Sequence, residues 1–282
     1  MKSVVEDIKK GSFKPVYLFY GEEAYLKQQY KNRLKDAVLP EGDTINLSIY
    51  SGKGIDVEEM IAQADTMPFF AEHRLLLIED SGFFKNANQQ LAEYIPSIPE
   101  ETIMLFVESE VDKRGKLYKA VSKKGSVVEF TAQNEQTLTR WILGILKTEG
   151  KMITSGAMKQ FLEKTGTDME RIRQELEKLI CYCMEKESIT EEDVAVICSE
   201  QTENKIFDMI NAMAEKKQKK AMELYYDLLA LKEPPMRILY LITRQFNLLM
   251  QVKELSEEGY SAKTISERLK MAGFIVRNCL RQ

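Results

Sequence analysis

The first half of the chain alternates between short apolar runs and helical patterns, and this alternation restricts the fold more than any other feature. Residues 15–20, Pro-Val-Tyr-Leu-Phe-Tyr, form an apolar run that ends at Gly21. Four comparable runs follow, at residues 46–50, 74–79, 102–107 and 126–130. Strands buried on both faces of a sheet read as continuous apolar runs. The pattern therefore predicts a five-stranded parallel sheet with helices on both faces.

Helical patterns separate these runs and carry recognisable boundary signals. One helix is predicted from Glu22 to Leu39, because its apolar residues have helical spacing and Pro40 stops it. A second is N-capped by Asp56 and ends near Pro68. Two shorter helices are predicted at residues 86–94 and 115–123.

Strand signals disappear from Asn134 onward, and helical spacing takes over for the rest of the chain. We therefore predict three domains: an α/β domain over 1–133, a small all-α domain over 134–202 and a second all-α domain over 203–282. The last helical pattern reaches Gln282 without a capping signal. We expect that the natural chain continues beyond it.

The composition limits where such a chain can work. No apolar run approaches 18 residues, so no membrane span is expected, and the N-terminus lacks the apolar core of a secretory signal. The four cysteines have no framework spacing, so they are expected to be free, buried thiols in a reducing cytosol. A cytoplasmic protein is the prediction.

Charge is distributed unevenly along the chain, although the net charge is only −4. Residues 203–282 contain 14 basic and 10 acidic residues, whereas residues 1–202 contain 26 and 34. Neither part has the strong basic character of a dedicated DNA-binding protein. Contact of the last part with a polyanion is compatible with these numbers but is not required by them.

The turn after the first predicted strand occupies the place of a phosphate-binding loop but lacks its chemistry. It reads Gly21-Glu22-Glu23, with one glycine, no Lys-Ser/Thr pair and two carboxylates that would repel phosphate. This turn is interpreted as a degenerate nucleotide site. Neither a bound cofactor nor ATPase activity is expected.

Other candidates for catalysis or metal binding are weak. Glu79 and Asp80 end a buried strand and could hold Mg²⁺, but without a phosphate cradle a solvated strand end is the favoured interpretation. Cys181 and Cys183 lie two positions apart on a helix and so do not face the same way. His73 is the only histidine and is interpreted as a polar turn residue. No metal site and no catalytic residue are predicted.

Phe69 and Phe70 lie in the turn between a predicted helix and a buried strand. Residues one position apart do not share a helix face, so one core does not easily accept both rings. An exposed apolar pair on a turn suggests contact with a partner. The alternative is that one ring caps the core while the other packs on the helix end.

Two basic clusters remain open to interpretation. Lys113 and Arg114 lie just after a strand and could meet DNA or an acidic partner. A second cluster at a helix start contains Lys216, Lys217, Lys219 and Lys220. A solvated surface is the simpler interpretation of both clusters; phosphate contact would appear as salt-dependent binding.

Six segments together resemble the delta subunit family of bacterial DNA polymerase III. They are residues 16–23 (Val-Tyr-Leu-Phe-Tyr-Gly-Glu-Glu), 67–75 (Met-Pro-Phe-Phe-Ala-Glu-His-Arg-Leu), 112–120 (Asp-Lys-Arg-Gly-Lys-Leu-Tyr-Lys-Ala), 175–179 (Glu-Leu-Glu-Lys-Leu), 204–208 (Asn-Lys-Ile-Phe-Asp) and 244–249 (Arg-Gln-Phe-Asn-Leu-Leu). Each segment is modest alone, but their order and spacing over nearly the whole chain make the resemblance specific. The family pattern usually continues some tens of residues past Gln282.

The resemblance implies an AAA+-like domain that has lost its nucleotide site, a helical lid domain and a helical collar domain. It further implies a non-catalytic clamp-loader subunit that binds the ring-shaped sliding clamp and opens it for loading on primed DNA. By position, Phe69 and Phe70 match the family's clamp-contacting pair, with Met67, Pro68 and Leu75 as neighbours.

The implied partners are the clamp, ATP-binding loader subunits that meet the collar domain, and primer-template DNA in the assembled complex. Two alternatives stay open. One is an ATPase in its own right; the other is an assembly or DNA-contacting adaptor without a clamp-opening role.

Overall fold

The computed structural model describes residues 1–86, 88–198, 202–214, 216–271 and 273–280. The chain forms two compact units, residues 1–132 and residues 133–282. Each unit is built differently, the first around a sheet and the second from helices.

A five-stranded parallel sheet organises the first unit, as the sequence predicts. Its strands are β1 (Val16–Tyr20), β2 (Leu47–Ser51), β3 (Arg74–Glu79), β4 (Thr102–Glu108) and β5 (Ser126–Glu129). Their spatial order is β2-β3-β4-β1-β5, and every neighbouring pair is parallel. Each observed strand starts and ends within about one residue of its predicted run. Strands β1, β3 and β4 are buried along nearly their whole length, whereas β2 and β5 are partly exposed.

Helices connect and cover these strands. They are α1 (Lys2–Lys10), α2 (Ala24–Val38), α3 (Val57–Ala64), α4 (Gln89–Tyr94) and α5 (Lys116–Lys124), and a 3-10 turn follows α4 at Ile95–Ser97. Four of them match predicted helices. The first helix was not predicted from the sequence; it buries Val4 against the sheet and ends at Gly11, whose φ of 61° suits a left-handed helix cap.

The two sheet faces carry separate apolar cores. On one face, Tyr17, Phe19 and Leu75 pack with residues of α1 and α2. On the other, Leu18 and Leu76 pack with residues of α3, α4 and α5. Side chains alternate between faces along a strand, so Leu75 and Leu76 belong to opposite cores.

The second unit begins with α6 (Glu135–Thr148), α7 (Ser155–Thr165), α8 (Met169–Tyr182) and α9 (Glu191–Ile197). It also contains two short parallel strands, β6 (Met152–Ile153) and β7 (Ser188–Ile189). The prediction that strands are absent after residue 134 is therefore wrong. Two residues per strand are too few to show any periodicity in the sequence.

The rest of the second unit consists of α10 (Thr202–Ala214), α11 (Gln218–Ala230), α12 (Pro235–Glu257), α13 (Ala262–Leu269) and α14 (Gly273–Cys279). One apolar cluster joins α10, α11 and α12, and another joins α12, α13 and α14. Arg277 of α14 pairs with Glu135 of α6 at 3.3 Å. The division of the helical part at residue 202 stays a prediction, and residues 281–282 lie outside the described residues.

None of the helices in the described ranges combines the length and apolar character that crossing a membrane requires. All four cysteines are free. Cys183, Cys198 and Cys279 are buried as expected, whereas Cys181 is exposed.

Candidate functional site

The segment between α3 and β3, residues 65–73, is here called the Phe loop. Phe70 is 94% exposed, Met67 77% and Phe69 57%. The two phenylalanine rings contact each other edge to face, with centroids 4.6 Å apart. Pro68 is partly exposed. The alternative in which one ring caps the core is wrong for this conformation, because both rings lie on the surface.

Leu75 does not belong to this surface. It lies in β3, is fully buried and packs in the core on the α2 side of the sheet. Its assignment to the contact surface is therefore corrected: Leu75 follows the Phe loop in sequence, but its side chain supports the sheet and faces no solvent.

Hydrogen bonds fix the beginning of the Phe loop. The Thr102 hydroxyl donates to the Ala64 carbonyl at 2.7 Å, where α3 ends. The Tyr94 hydroxyl donates to the Asp65 carboxylate at 2.6 Å. Burial and this carboxylate raise the pKa of Tyr94, so the hydroxyl keeps its proton and remains a donor. The loop therefore starts from a rigid support.

Asn46, just before β2, fixes the middle of the loop. Its side-chain carbonyl accepts from the Phe69 N–H at 2.7 Å, and its NH₂ group donates to the Phe69 carbonyl at 3.0 Å. Asn46 is buried, and its NH₂ group also donates to Asp43 at 2.7 Å. Hydrogen bonds from Asn46 lower the pKa of Asp43, which keeps this carboxylate ionised.

Arg74 lies beneath the loop at the start of β3. Its guanidinium donates from Nη2 to the Met67 carbonyl at 3.4 Å. Its Nε and Nη1 atoms are buried and have no hydrogen-bond partner among the described residues. The neighbouring His73 packs edge-on against Phe13, with ring centroids 5.8 Å apart, so it is more than a solvated turn residue.

The opposite edge of the sheet, at the carboxyl ends of the strands, contains the turn at Gly21 that the sequence analysis interprets as a degenerate nucleotide site. Gly21 has a φ of 118°, and a Cβ added there would lie 2.3 Å from the Phe130 carbonyl oxygen. The Glu23 N–H donates to that same carbonyl at 3.1 Å. The glycine thus permits close packing of the turn on the end of β5. The Glu23 carboxylate accepts from the Tyr25 N–H at the start of α2, where a phosphate would have to approach.

Two lysines of α2 occupy this edge. Lys31 pairs with Glu79 at 2.7 Å, and Lys27 donates to the Glu108 carbonyl at 3.2 Å. Burial lowers the pKa of Lys27, while Asp80, Glu108 and Glu23 oppose that shift. Glu79 is therefore ion-paired rather than simply solvated. Within the described residues, no group of three or more His, Cys, Asp or Glu side chains is placed to hold a metal ion.

Glu108 is also held internally. Its carboxylate accepts bonds from the Ser81 hydroxyl, the Ser81 N–H at 3.2 Å and the Gly82 N–H at 3.3 Å. Burial raises its pKa, and these three donors partly offset the rise. Glu79 and Glu108 are consequently satisfied by groups of the protein itself.

The structure places the two basic clusters in different units. Lys113 bonds Glu129 at 2.9 Å and lies over the Tyr20 ring, and Arg114 bonds Asp112 at 3.0 Å. These local acids compete with any phosphate contact. Lys216, Lys217, Lys219 and Lys220 are exposed at the turn from α10 to α11. Their assignment as DNA or partner contacts stays a prediction.

The fold is an α/β domain built on a five-stranded parallel sheet, followed by a helical region. Residues 17–131 match the family model described as DNA polymerase III, delta subunit. Residues 203–282 match the model described as DNA polymerase III delta subunit, C-terminal domain. The chain belongs to the DNA polymerase III delta subunit family.

Individual relatives agree with this assignment. The DNA polymerase III subunit delta of Bacillus subtilis is 31% identical over 291 aligned positions, covering 99% of this chain and 84% of that protein. A probable DNA polymerase III subunit delta of Aquifex aeolicus is 22% identical, covering 86% and 72%. The solved structure of the Bacillus subtilis DNA clamp loader delta protein superposes with a TM-score of 0.66 at 30% identity, covering 99% of this chain and 86% of that one.

Sequence reasoning identified the exposed pair but missed the residues that hold it. Asn46 lies 23 positions before Phe69, so no local pattern connects the two. Arg74 is the first residue of a buried strand. Its charge was evident from the sequence, but its contact with the Phe loop was not. Lys27 and Lys31 lie four positions apart on α2, which places them on one face of the helix. This spacing could have indicated that both lysines bond groups at the carboxyl edge of the sheet.

Proposed function

We propose that this chain is a non-catalytic subunit of the replicative clamp loader that binds the sliding clamp through the Phe loop and helps to open the ring. The observation that carries this proposal is the exposure of Phe69 and Phe70 on a loop held by buried polar contacts. A role in chromosome replication assigns the protein to the cytoplasm.

The energetics favour an anchor supported by neighbours. Burying one Phe side chain contributes roughly 1.5–3 kcal/mol, so the pair contributes about 3–6 kcal/mol. A micromolar complex needs about 8 kcal/mol. Met67, exposed beside the pair, and Pro68 extend the apolar surface. A central aromatic pair with weaker surroundings is the usual arrangement of a binding hot spot.

Ring opening needs no bond chemistry in this chain. A ring interface shifts toward its open state when a partner binds that state more tightly than the closed one. The closed carboxyl edge of the sheet supports a role without nucleotide hydrolysis, because Glu23 caps α2 and Lys31 pairs with Glu79. Energy from ATP would enter through other subunits of the loader.

The last helices supply a surface for those subunits. Met236, Leu239, Tyr240, Phe246 and Met250 of α12 are exposed, and their spacing places them along one side of the helix. Several large apolar side chains exposed on one side of a helix are typical of an interface. They support assembly with ATP-binding subunits through residues 203–282.

Clamp binding by the immobilised full chain tests the proposal, with the Phe69→Ala/Phe70→Ala variant beside the wild type. We expect at least a hundredfold loss of affinity, because about 3–6 kcal/mol of apolar burial disappears. A Met184→Ala variant removes an exposed apolar side chain in the other unit and serves as the matched control. Absence of binding by a folded wild type would contradict the proposal.

A DNA-contacting adaptor is the second candidate, carried by the exposed lysines at the turn from α10 to α11. It predicts that the chain binds primer-template DNA without a clamp, with an affinity that falls steeply as salt is raised. Replacing Lys216, Lys219 and Lys220 with Gln would then reduce the slope of that salt dependence. Clamp-dependent binding alone would favour the first candidate.

A further inference from the structure

Asn46 joins two points of the chain on either side of the exposed Phe70 ring. Its carboxamide makes two hydrogen bonds to the Phe69 backbone, at 2.7 Å and 3.0 Å. Its own backbone carbonyl accepts from the Leu75 N–H at 2.9 Å. One residue therefore fixes both the tip of the Phe loop and the strand that follows it.

Asn46 is itself held in place. Asp43 accepts from the Asn46 side chain at 2.7 Å and from the Asn46 N–H at 3.0 Å. The asparagine is only 1% exposed, so water does not replace these bonds. A buried amide whose donor and acceptor are both matched has one preferred orientation.

Phe70 has a backbone conformation that requires such support. Its φ is 50°, in the left-handed region that bulky side chains rarely adopt. Strained conformations persist where surrounding contacts impose them, and they concentrate at functional positions. The two bonds from Asn46 to Phe69 act on the residue immediately before this strained position.

We propose that Asn46 is a positioning residue that holds Phe69 and Phe70 in the orientation a partner binds. The inference rests on the proposed clamp-binding function of the Phe loop. Ordering the loop before the encounter lowers the entropy lost on binding. Asp43 and Arg74 assist, the first by orienting Asn46 and the second by bonding the Met67 carbonyl.

The test compares full-length wild type with Asn46→Ala in two measurements: hydrogen exchange of the loop segment and clamp-binding kinetics. We expect exchange in residues 66–73 to accelerate about tenfold. We expect the clamp association rate constant to fall about tenfold with little change in dissociation, because only molecules with an ordered loop can bind.

Ser81→Ala is the matched control. It removes a buried side-chain hydrogen bond in the same unit, just beyond the opposite end of β3, where the Ser81 hydroxyl bonds Glu108 and Phe83. Its loop exchange and clamp kinetics should equal those of the wild type. If Asn46→Ala unfolds, Asp43→Ala provides the milder variant, since it removes the support of Asn46 and leaves the carboxamide present.

Each outcome separates the two hypotheses. Unchanged loop exchange in the variant would overturn the bracing role of Asn46. Faster hydrogen exchange with unchanged clamp-binding kinetics would overturn its positioning role. A loss of affinity that comes only from a faster dissociation rate constant would overturn it as well. A folded wild type that fails to bind the clamp would overturn the proposed function, while hydrogen exchange would still decide whether Asn46 braces the loop.

Discussion

The carboxyl and amino ends of the strands, at opposite edges of the parallel sheet, differ in what their polar side chains bond. At the carboxyl edge, Gly21 allows the turn to close on β5, and Lys31 neutralises Glu79. At the amino edge, Asn46 and Arg74 satisfy backbone groups of the Phe loop while Phe70 faces solvent. At the carboxyl edge the polar side chains bond each other. At the amino edge they bond the backbone of the Phe loop and so hold its phenylalanine rings in solvent.

This difference teaches where function can be sought in such a fold. Ligands of open α/β sheets usually bind at the carboxyl ends of the strands. In this chain Glu79 at that edge is paired with Lys31 and Glu108 is bonded by Ser81 and Gly82, while the exposed Phe69 and Phe70 lie at the other edge. A search guided only by fold analogy would therefore overlook the edge at which we propose that a partner binds.

Gly21→Ala should cause the largest loss of stability, because it disrupts the close packing of the turn at the carboxyl edge. A methyl group there would meet the Phe130 carbonyl at 2.3 Å on a backbone with φ of 118°. We expect about 4 kcal/mol of lost stability, measured by urea unfolding followed by circular dichroism. Gly52→Ala, at φ of 79° with open space around it, is the control for backbone strain alone. Equal losses in the two variants would contradict the close-packing account.

Leu75→Ala and Phe70→Ala sharpen the contrast between the strand and the loop. Leu75 is fully buried, so its truncation should cost about 3 kcal/mol in transfer and cavity terms. Phe70 is exposed, so its truncation should change stability by less than about 0.5 kcal/mol. Urea unfolding of both variants checks this. A large loss in Phe70→Ala would mean that the ring packs in the core in solution.

The smallest effects concern pH, and the two edges should respond in opposite directions. Hydrogen bonds from Asn46 lower the pKa of Asp43 below its ordinary 3.8. The stability that Asp43 contributes is therefore present above about pH 3.8 and is lost as the pH falls through the lower folded pKa. Asp43→Asn should flatten this acid-side loss.

The contribution of Glu108 to stability should have the opposite pH dependence. Burial raises its pKa above the ordinary 4.5, so its contribution is full below that pH and declines as the pH rises through the folded pKa. Glu108→Gln should remove this decline. Melting temperatures of the wild type and both variants between pH 3 and pH 7 check the two signs. Parallel profiles for the two variants would contradict the contrast.

Much of the fold could be predicted from the sequence because the central strands of the sheet are buried on both faces. Strands β1, β3 and β4 appear as nearly continuous apolar runs, and Asp56 accepts the Glu58 and Glu59 N–H groups as the predicted cap of α3. The Phe pair was visible because two neighbouring rings in a turn have no common core to enter. These are local properties, which sequence patterns report well.

Long-range contacts explain what could not be predicted. Leu75 stands close to Phe70 in sequence, but it belongs to the apolar run of β3, and a strand covered on both faces buries its side chains whichever way they point; its burial was therefore readable from the sequence. In the sequence, Asn46 is only a polar residue before a strand. Its bonds to Phe69 depend on the pairing of β2 with β3, which no local pattern shows. The strands β6 and β7 are too short to leave a pattern.

Strand β3 joins the two edges, and this makes them separable for protein engineering. It carries Arg74 at one end and Glu79 at the other. Five steps of about 3.3 Å place their backbones roughly 16 Å apart, beyond the distance at which substitutions usually couple. A redesigned Phe loop and a redesigned turn at Gly21 could therefore be optimised independently and then combined in one chain.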